Sequence, residues 1–446
     1  AGYEDRKSKL YTSNSDIPLS IYDHTKERNH LPALDFYYQQ ELKNNQRLIF
    51  NLVGTYIKSS STRIYQEKQE DVSHTELYSD ITGQKYSLIA EGTYEKKLGQ
   101  GTLTGGLRHI QSYTDNQYKG EEQMDVILKQ AESYAYAEYK GKTQHWGYIA
   151  NLTLSRFYYS QRNNQNERYG LQPSLLVSYS PLDKLHFRYH INLKNKAPSI
   201  AYLNDVEQKI DNLQTRRGNP SLKSFRSIIQ DFNAVFSAGI CSIDALVSYT
   251  YEKNPIMQSV LYEEGMFIQT YENQKSFQHL ATEITFKIKP WKDHISLSVT
   301  PGINRYISTG NNYLHTYTLK ELRINLDASY KNWLLNFMTI TPPNRYVYGE
   351  QLMKGELMHT LMVGYKQSAW SIMAGILNPF MKTYRSENEN WSALTPVKSD
   401  IHNNNMSNTF AIKLNFNLNF GRQYKSANKN IQNMDTDSGI LQGIKE

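Results

Sequence analysis

Two histidines and one arginine alternate along a short segment, and their spacing suggests a role in binding. His186, Arg188 and His190 stand at every second position, so in a β-strand their side chains project from one face. Two imidazole groups on a shared face could contact a metal or a siderophore. A hydrated strand face without a ligand is the simpler interpretation. We retain all three as candidate substrate-binding residues.

Further candidates lie in segments without a regular pattern. Arg216 and Arg217, with Asn219 close behind, could attract an anionic substrate, although a hydrated pair of loop charges is the simpler interpretation. Aromatic side chains in similar segments could stack against sugars or aromatic chelators, or could pack loops against one another. These aromatic residues are Tyr202, Tyr262, Phe267, Tyr384 and Trp391. Both roles remain open.

The sequence carries no pattern typical of catalysis or of a metal centre. Cys241 is the single cysteine, which excludes an internal disulfide framework and a thiolate cluster. The segment Gly99-Gln100-Gly101 resembles a phosphate loop only superficially, because it joins two strand-like segments and no helix follows it. We therefore predict that the chain is not an enzyme and that it uses no cofactor and no metal.

The elements that position these residues are predicted from the last patterned run, Asn408 to Phe420. Its apolar residues alternate with Ala, Lys and Asn, a period of two that indicates a β-strand with one apolar and one polar face. The apolar members are Phe410, Ile412, Leu414, Phe416, Leu418 and Phe420. This run is long enough to cross a bilayer, since a tilted transmembrane strand needs about 9 to 11 residues.

Composition agrees with strands that have one lipid-facing and one wet face. The chain has 446 residues, a mean hydropathy of -0.66 and 35 tyrosines, and amphipathic aromatic residues accumulate where apolar and wet environments meet. No apolar run of about 18 residues exists, which excludes helical spans. The net charge of +7 is spread along the chain, so we expect no nucleic-acid partner.

The same alternation recurs in about seventeen segments separated by turn signals. These predicted strands are Ala33–Leu42, Gln46–Lys58, Lys85–Leu98, Gly101–Tyr113, Ile127–Lys140, His145–Tyr159, Gly170–Ser180, Leu185–Lys194, Ser224–Ser237, Ser242–Glu252, Phe277–Lys289, His294–Tyr306, Tyr317–Ser329, Asn332–Ile340, Glu356–Tyr365, Ala369–Leu377 and Asn408–Phe420.

Connection lengths indicate which all-β fold these strands form. Short turns follow the odd-numbered strands and long loops follow the even-numbered ones, for example 194–223 and 378–406. Outer-membrane barrels have this asymmetry, with short periplasmic turns and longer extracellular loops, whereas soluble sandwiches and propellers rarely do. The prediction is therefore an antiparallel transmembrane β-barrel, with Leu185, Phe187, Tyr189, Ile191 and Leu193 facing lipid and His186, Arg188 and His190 facing the lumen.

Strand parity adds a prediction about the domains. If the last strand ends in the periplasm, an odd number of strands starts outside the cell, whereas single-chain bacterial barrels start in the periplasm with an even number. We therefore predict an extracellular loop over residues 1–30, a barrel portion over 31–420 and a polar tail over 421–446. The whole barrel would have about 22 strands, the size of plugged outer-membrane transporters.

Residues between the eighth and ninth strands carry a family resemblance. Pro198 precedes Gly218, Asn219, Pro220 and Leu222, and the arrangement resembles TonB-dependent outer-membrane receptors, in which a Gly-Asn-Pro-x-Leu motif lies late in the barrel. Lys223-Ser224 replaces the acidic residue usual after that motif. The resemblance implies energy-coupled uptake of a scarce nutrient, driven by the TonB complex through a plug that is not in this sequence.

The resemblance also implies partners. Outer-membrane lipid surrounds such a barrel, the barrel assembly machinery is expected to read Phe420 as the terminal aromatic residue, and a surface lipoprotein is a further expected partner. Iron chelates, cobalamin-like cofactors, oligosaccharides and peptides all remain open as the nutrient. The alternatives are a passive porin or structural barrel and, from a different class, a secreted all-β binding protein such as a lectin.

Overall fold

A computed structural model describes residues 2–12, 19–69, 72–121, 123–162, 164–291, 294–342 and 346–417. Phe420 and the predicted tail lie outside these residues. The first ten strands are β1 (Gly2–Thr12), β2 (Leu19–His30), β3 (Ala33–Leu42), β4 (Gln46–Gln69), β5 (Val72–Leu98), β6 (Gly101–Gly120), β7 (Met124–Lys142), β8 (Trp146–Gln161), β9 (Asn164–Leu182) and β10 (Leu185–Lys196).

The second part of the chain alternates barrel-type strands with shorter ones. It begins with helix α1 (Ile200–Leu203) and the strands β11 (Gln208–Lys209), β12 (Gln214–Arg216), β13 (Phe225–Ala238), β14 (Cys241–Lys253), β15 (Ile256–Glu263), β16 (Met266–Asn273), β17 (Ser276–Trp291) and β18 (Ile295–Thr309). There follow β19 (Leu314–Tyr330), β20 (Trp333–Ile340), β21 (Tyr346–Tyr348), β22 (Gln351–Gly355), β23 (Met358–Lys366), β24 (Trp370–Leu377), β25 (Tyr384–Asn390), β26 (Val397–Asn403), a 3-10 turn (Asn404–Met406) and β27 (Thr409–Phe416). No helix in the described part of the chain is both long and apolar enough to cross a membrane.

One 19-stranded antiparallel sheet contains every predicted strand, which confirms the all-β fold. From β3 onward each of its strands pairs with the next one along the chain, as in β4 with β5 and β18 with β19, and the short strands of the loops are skipped. The short turns that join them suit this geometry: Asn44 and Asn45 have φ values of 61° and 56° in the turn between β3 and β4. Asparagine tolerates this left-handed region, so the pair forms a tight hairpin.

The predicted faces hold along the sheet. Leu107, Leu154 and Ile303 are 68%, 58% and 51% exposed on the outer face, as expected for side chains that meet lipid rather than protein. In β10, Tyr189 lies opposite Val177 of β9 and Phe232 of β13 on that outer face. His186, Arg188 and His190 therefore share the opposite, lumen-facing side.

Aromatic side chains form a belt at the short-turn end of the sheet. Trp146 stacks on Tyr179 with ring centroids 4.2 Å apart, and further ring pairs join Tyr139 to Tyr148, Trp291 to Tyr330, Trp333 to Tyr365 and Tyr365 to Trp370. Amphipathic rings favour the boundary between hydrocarbon and water. This belt marks one boundary of the lipid-facing band.

The prediction for residues 1–30 needs a correction, because the residues described there, 2–12 and 19–30, form strands. We predicted a loop there, but β1 pairs with β2, and β2 pairs with β4 from Leu19 opposite Gln69 to His30 opposite Lys58. Strand β4 continues well past its predicted end, and its backbone amides and carbonyls in that extension pair with β2. The polar sequence of β2 gives no alternation from which this pairing could be predicted. The long connection after β4 is likewise a continued ladder, since β4 and β5 pair up to Gln69 opposite Val72.

The described strands do not close into a complete barrel. Among the described residues, β3 pairs only with β4 and β27 only with β24. Phe36 and Phe416, which lie on these two edge strands, are both exposed. An unpaired edge is costly in hydrocarbon, where no water satisfies the backbone.

A charge placed on the outer face should destabilise the sheet far more than the same charge one residue away. Val247 of β14 faces outward and is 41% exposed, whereas Leu246 lies opposite Asn233 and Glu283 on the inner face. We expect Val247→Lys to lower the free energy of unfolding in lipid vesicles by about 2 to 4 kcal/mol, measured by urea titration. Leu246→Lys is the matched control, and equal losses for both variants would contradict the assigned faces.

Candidate functional site at the long-loop end

The segment 197–224 packs against the inner face of the sheet at its long-loop end. Ile200, Leu203, Val206 and Leu222 are each no more than 3% exposed, and they join one apolar cluster with residues of the wall. The wall residues are Ile81, Tyr118, Val126, Leu128 and Tyr159. The Ser199 side chain accepts a hydrogen bond from the Ala201 amide and so starts the short helix α1. Burial of these apolar side chains against the wall holds segment 197–224 in place.

The residues of the family motif hold this segment together. Asn219 donates from its side chain to the Tyr271 carbonyl at 2.9 Å, and its amide donates to the Tyr202 carbonyl at 2.6 Å. Gly218 has no room for a side chain, since a Cβ would lie 2.3 Å from the Asn204 carbonyl oxygen. Leu222 is fully buried in the apolar cluster. Pro198 borders a small void beside Leu222. Pro220 lies in the turn that joins Asn219 to Leu222.

Two tyrosines and an arginine form a half-buried surface beside the motif. The rings of Tyr202 and Tyr271 are stacked with centroids 3.9 Å apart. Burial raises the pKa of Tyr271 to about 12, so its phenol stays neutral. Burial lowers the pKa of Arg216, an effect that Tyr271 opposes and Arg63 reinforces. The Arg63 guanidinium is itself bound by the Asp23 carboxylate at 2.8 Å.

Two further candidates, Arg217 and Tyr262, lie closer to solvent than the stacked tyrosines do. Arg217 forms ion pairs with Glu263 at 3.1 Å and Glu207 at 3.7 Å. Tyr262, at the β15–β16 hairpin, is 59% exposed and contacts Phe267 with ring centroids 5.0 Å apart. Strands β15 and β16 belong to a four-stranded sheet with β11 and β12. Within this sheet, Tyr262 is the aromatic candidate whose ring is exposed to solvent.

Tyr384 and Trp391 serve packing in a second four-stranded sheet, composed of β21, β22, β25 and β26. Tyr384 is 4% exposed and donates to the Glu356 carbonyl at 3.2 Å. The Trp391 indole donates to Glu389 at 2.7 Å and lies against His315 and Tyr317 of the wall. Both rings pack this loop sheet against its surroundings, which is one of the two roles that the sequence left open.

A network of opposite charges covers one face of the second loop sheet. Lys354 lies 3.0 Å from Glu387 and 3.1 Å from Glu389, and Lys398 contacts the same two carboxylates. Arg385 binds Asp400 at 2.6 Å. Hydrogen bonds from these partners hold the pKa of Glu387 and Asp400 below their usual range, and the bond from Trp391 does so for Glu389.

The alternating residues of β10 face the lumen separately from the loop cluster. The Nδ1 atom of His186 lies 2.8 Å from the Ser180 hydroxyl. The Nδ1 atom of His190 lies 3.4 Å from Asp231, and its Nε2 atom lies 3.3 Å from Ser174. Arg188 is exposed between them. No group of three or more metal-ligating side chains occurs among the residues that the structure describes.

Sequence reasoning missed the contact that joins the second loop sheet to the wall. Glu252 is 3% exposed, and its carboxylate accepts from Lys196 at 2.6 Å and from the Tyr348 hydroxyl at 3.1 Å. Alternation places Lys196 and Glu252 on the inner face, but they are 56 residues apart, and only strand register brings them together. A buried carboxylate with both partners is stable, and it would be costly to leave unpaired.

Replacing Gly218 should loosen the motif segment because a Cβ has no space there. We expect Gly218→Ala to cost about 1 to 3 kcal/mol, the usual range for overpacking, and to raise amide hydrogen exchange across residues 197–224. Gly105→Ala is the control, since a methyl group at that position would lie 3.9 Å from its nearest neighbour, the Tyr136 carbonyl oxygen. Unchanged exchange in Gly218→Ala would show that the close contact is not required.

The second loop sheet should loosen in acid. Carboxyl groups with depressed pKa values stabilise the folded sheet above their ordinary pKa of about 4, and that stabilisation is lost as the pH falls through the depressed values. We expect the protection of backbone amides against hydrogen exchange, relative to an unfolded chain at the same pH, to fall within residues 384–403 between about pH 5 and about pH 3. The protection of β18 and β19 should change little. Lys354→Met should lower the same protection already at neutral pH, because it removes a partner of Glu387 and Glu389. Protection that is independent of pH in this range would contradict a stabilising role for these ion pairs.

Comparison with known proteins shows which family and which solved structures this chain resembles. The sequence matches the outer membrane protein β-barrel family over residues 43–347, more than half of the chain. No curated protein matches it by sequence. The ferric enterobactin receptor PfeA of Pseudomonas aeruginosa has a similar structure, with a TM-score of 0.52 and 14% identity, covering 82% of this chain and 65% of PfeA. The chain thus spans slightly less than two thirds of that protein's length.

Two further structures show the same fold. The FrpB iron transporter of Neisseria meningitidis has a TM-score of 0.51 and 8% identity, covering 89% of this chain and 78% of FrpB. The Serratia marcescens hemophore receptor HasR, solved with its hemophore HasA and heme, has a TM-score of 0.52 and 10% identity, covering 83% of this chain and 74% of HasR. At these identities the likeness concerns the fold.

The family match decides between the classes that the sequence left open. It places the protein in the outer membrane, as predicted, and the alternative of a secreted binding protein is therefore wrong. The expectation that the chain is not an enzyme agrees with a membrane barrel. The strand pattern, the lipid-facing outer surface and the match over residues 43–347 lead to one conclusion: this chain belongs to the outer membrane protein β-barrel family.

Proposed function

We propose that this chain is the barrel of a TonB-dependent outer-membrane receptor that takes up a scarce nutrient by energy-coupled transport. The observation that carries the proposal is the placement of both loop sheets against the inner face at the long-loop end. Loops fixed inside the entrance form a surface that a solute must pass before it reaches the polar lumen. The fold shared with an enterobactin receptor, an iron transporter and a hemophore receptor supports the same proposal.

The polarity of the lumen supports a plug. The Arg108 guanidinium on β6 has two buried nitrogens, Nε and Nη2, that make no hydrogen bond within the described part of the chain. Its neighbours in register are Glu91 of β5 and Tyr134 of β7. Tyrosine hydroxyls already bind Glu91 and Glu132 on this wall. Charged and hydroxyl side chains thus line this wall on the lumen side, and a polar domain seated in the lumen would find hydrogen-bonding groups there.

Substrate contacts are proposed for the residues that face the entrance and the lumen. Tyr262 offers an exposed ring, and the stacked Tyr202 with Arg216 offers an aromatic and cationic surface. Arg217 and Asn219 border this surface while holding the motif segment. His186, Arg188 and His190 would meet a substrate deeper in the lumen. Tyr384 and Trp391 would act indirectly, by holding the second loop sheet in place.

The proposed partners follow from this role. The TonB complex would act through the plug, and outer-membrane lipid would surround the outer face. The barrel assembly machinery would recognise the terminal aromatic residue, Phe420, and a surface lipoprotein would cooperate in substrate capture. The nutrient belongs to one of the classes named above: iron chelates, cobalamin-like cofactors, oligosaccharides or peptides.

Uptake assays in a strain that lacks the native gene would test the proposal. The full-length protein should restore accumulation of one radiolabelled nutrient from these classes, and deletion of TonB or collapse of the proton-motive force should abolish that accumulation. Accumulation that persists without TonB would contradict the proposal and would indicate a passive porin.

A substitution at the entrance should then lower uptake without harming the barrel. We expect the double variant Arg216→Gln, Tyr262→Ala to reduce initial uptake at least tenfold at limiting nutrient, because it removes the cation and the exposed ring together. Lys142→Gln at a short turn on the opposite end is the control. Heat-modifiable migration on a gel should be normal in both, and unchanged uptake in the double variant would assign those side chains to structure.

A further inference from the structure

Four methionines stand on the lumen-facing side of strands β20, β23 and β24. Met338 belongs to β20, Met358 and Met362 belong to β23, and Met373 belongs to β24. The positions next to them point outward, as at Val363, which is 43% exposed, so alternation directs all four methionines inward. The four residues are half-buried. We call them the methionine ladder.

Strand register spaces the ladder evenly along the wall. Inward-facing residues recur at every second position, about 7 Å apart along a strand, and each of four successive levels carries one methionine. From the long-loop end to the short-turn end the levels are Met358 opposite Ile340, Met338 opposite Thr360, Met362 opposite Gly375, and Met373 opposite Gly364. Thioethers thus line a path along the lumen from the entrance toward the short turns.

Two glycines leave room for the side chains of the lower two methionines. Gly375 lies opposite Met362, and Gly364 lies opposite Met373. A Cβ at Gly375 would be 3.1 Å from the Met362 Cγ atom, and a Cβ at Gly364 would be 3.0 Å from the Met373 Cγ atom. Each methionine therefore leans across the neighbouring strand where a side chain is missing. The two are diagonal neighbours on adjacent strands, a separation that long side chains bridge.

The chemistry of this pair suits a soft metal ion. Thioether sulfur is polarizable and uncharged, and it favours Cu(I) over hard cations. Groups of three or more histidine, cysteine or carboxylate side chains, which hold most other metals, are absent from the described residues. Lys413 lies opposite Met373, and the Asp327 carboxylate lies beyond Asn336, which binds it at 2.7 Å. A hard cation would therefore lack oxygen ligands at the pair and would be repelled by Lys413.

Packing alone does not explain a row of thioethers at these positions. Methionine usually fills irregular gaps in an apolar core, but the ladder borders a lumen, and Asn336 and Thr360 lie on the same face. Leu334 and Leu377 show that this wall also accepts branched apolar residues. Leucine is therefore a substitution that keeps the apolar volume and removes the sulfur.

We propose that the methionine ladder is a binding site for a soft monovalent metal ion, Cu(I). Met362 and Met373 are the principal ligands, since the two glycines let their thioethers approach each other. Met358 and Met338 offer the same ligand at the levels above, so an ion from the long-loop end can pass from one level to the next. The site lies apart from the nutrient surface around Arg216 and goes beyond the proposed uptake function. The sequence predicted no metal, because the ladder comes from three strands and only register brings its members together.

Silver(I) is the probe for the site, since it shares the charge and the softness of Cu(I) and is not oxidised by air. The full-length protein, purified in mild detergent, is titrated with silver nitrate in chloride-free buffer, and binding is measured by isothermal titration calorimetry. Every sample carries Cys241→Ser, because an exposed thiol would bind silver itself. Every sample also contains excess zinc(II), which occupies histidine and carboxylate groups.

We expect the variant Met362→Leu, Met373→Leu to lower the silver affinity by about tenfold or more, since even the partners of metal ligands commonly contribute that much. Leucine preserves volume and apolarity, so a loss of affinity reports the missing sulfur. The control Met124→Leu, Met266→Leu removes two thioethers outside the ladder and should leave the affinity unchanged. Heat-modifiable migration on a gel should be normal in both. Equal silver affinities in the two variants would overturn the proposal.

A second measurement does not depend on the folding of these variants. Cu(I) is added with ascorbate to the Cys241→Ser protein, and X-ray absorption at the copper edge reports which elements surround the metal. Sulfur neighbours are expected, and copper with only nitrogen and oxygen neighbours would contradict the site. Neither measurement involves TonB or nutrient uptake, so a failure here would leave the proposed function intact.

Discussion

The need to pair every backbone amide inside hydrocarbon governs this structure. Lipid offers no hydrogen-bond partner, so a chain that crosses it with strands must join each strand to the next. The 19-stranded antiparallel sheet meets this need through consecutive pairing. Once the ladder is fixed, side chains alternate strictly between lipid and lumen. The outward position of Val247 and the inward position of Glu252 both follow from the register of β14.

The same ladder also builds the entrance. Strands β4 and β5 stay paired as far as Gln69 opposite Val72, so the wall extends beyond the apolar band and offers an inner face against which loops pack. Segment 197–224 uses that face through Leu203, Val206 and Leu222. The second loop sheet uses it through Trp391 and through Tyr348, which binds Glu252. Apolar burial thus holds the loops, and a few buried polar contacts fix their orientation.

The two surfaces of the wall carry different chemistry for the same reason. Inward residues such as Arg108 and His190 meet polar neighbours, and outward residues such as Phe50 and Leu154 meet lipid. A charge is tolerated outward only beyond the apolar band, and this is where Lys58 lies. The family motif belongs to neither surface: Gly218 and Asn219 act by close backbone packing and hydrogen bonding. Its occurrence therefore reports how the loop is folded rather than which substrate it binds.

Period-two alternation determined the strands and their faces from sequence alone, because a strand facing lipid on one side leaves a direct trace in residue polarity. Short turns were also readable, as Asn44-Asn45 shows. Strand β2 was not, since its partners lie on an extension of β4 that meets water on the outside and needs no apolar signal. The contacts of Glu252 with Lys196 and Tyr348, the stack of Tyr202 on Tyr271 and the burial of Tyr384 depend on register and loop packing between distant segments. Local spacing carries no information about such contacts, so only the tertiary structure decided which candidates line the entrance and which support it.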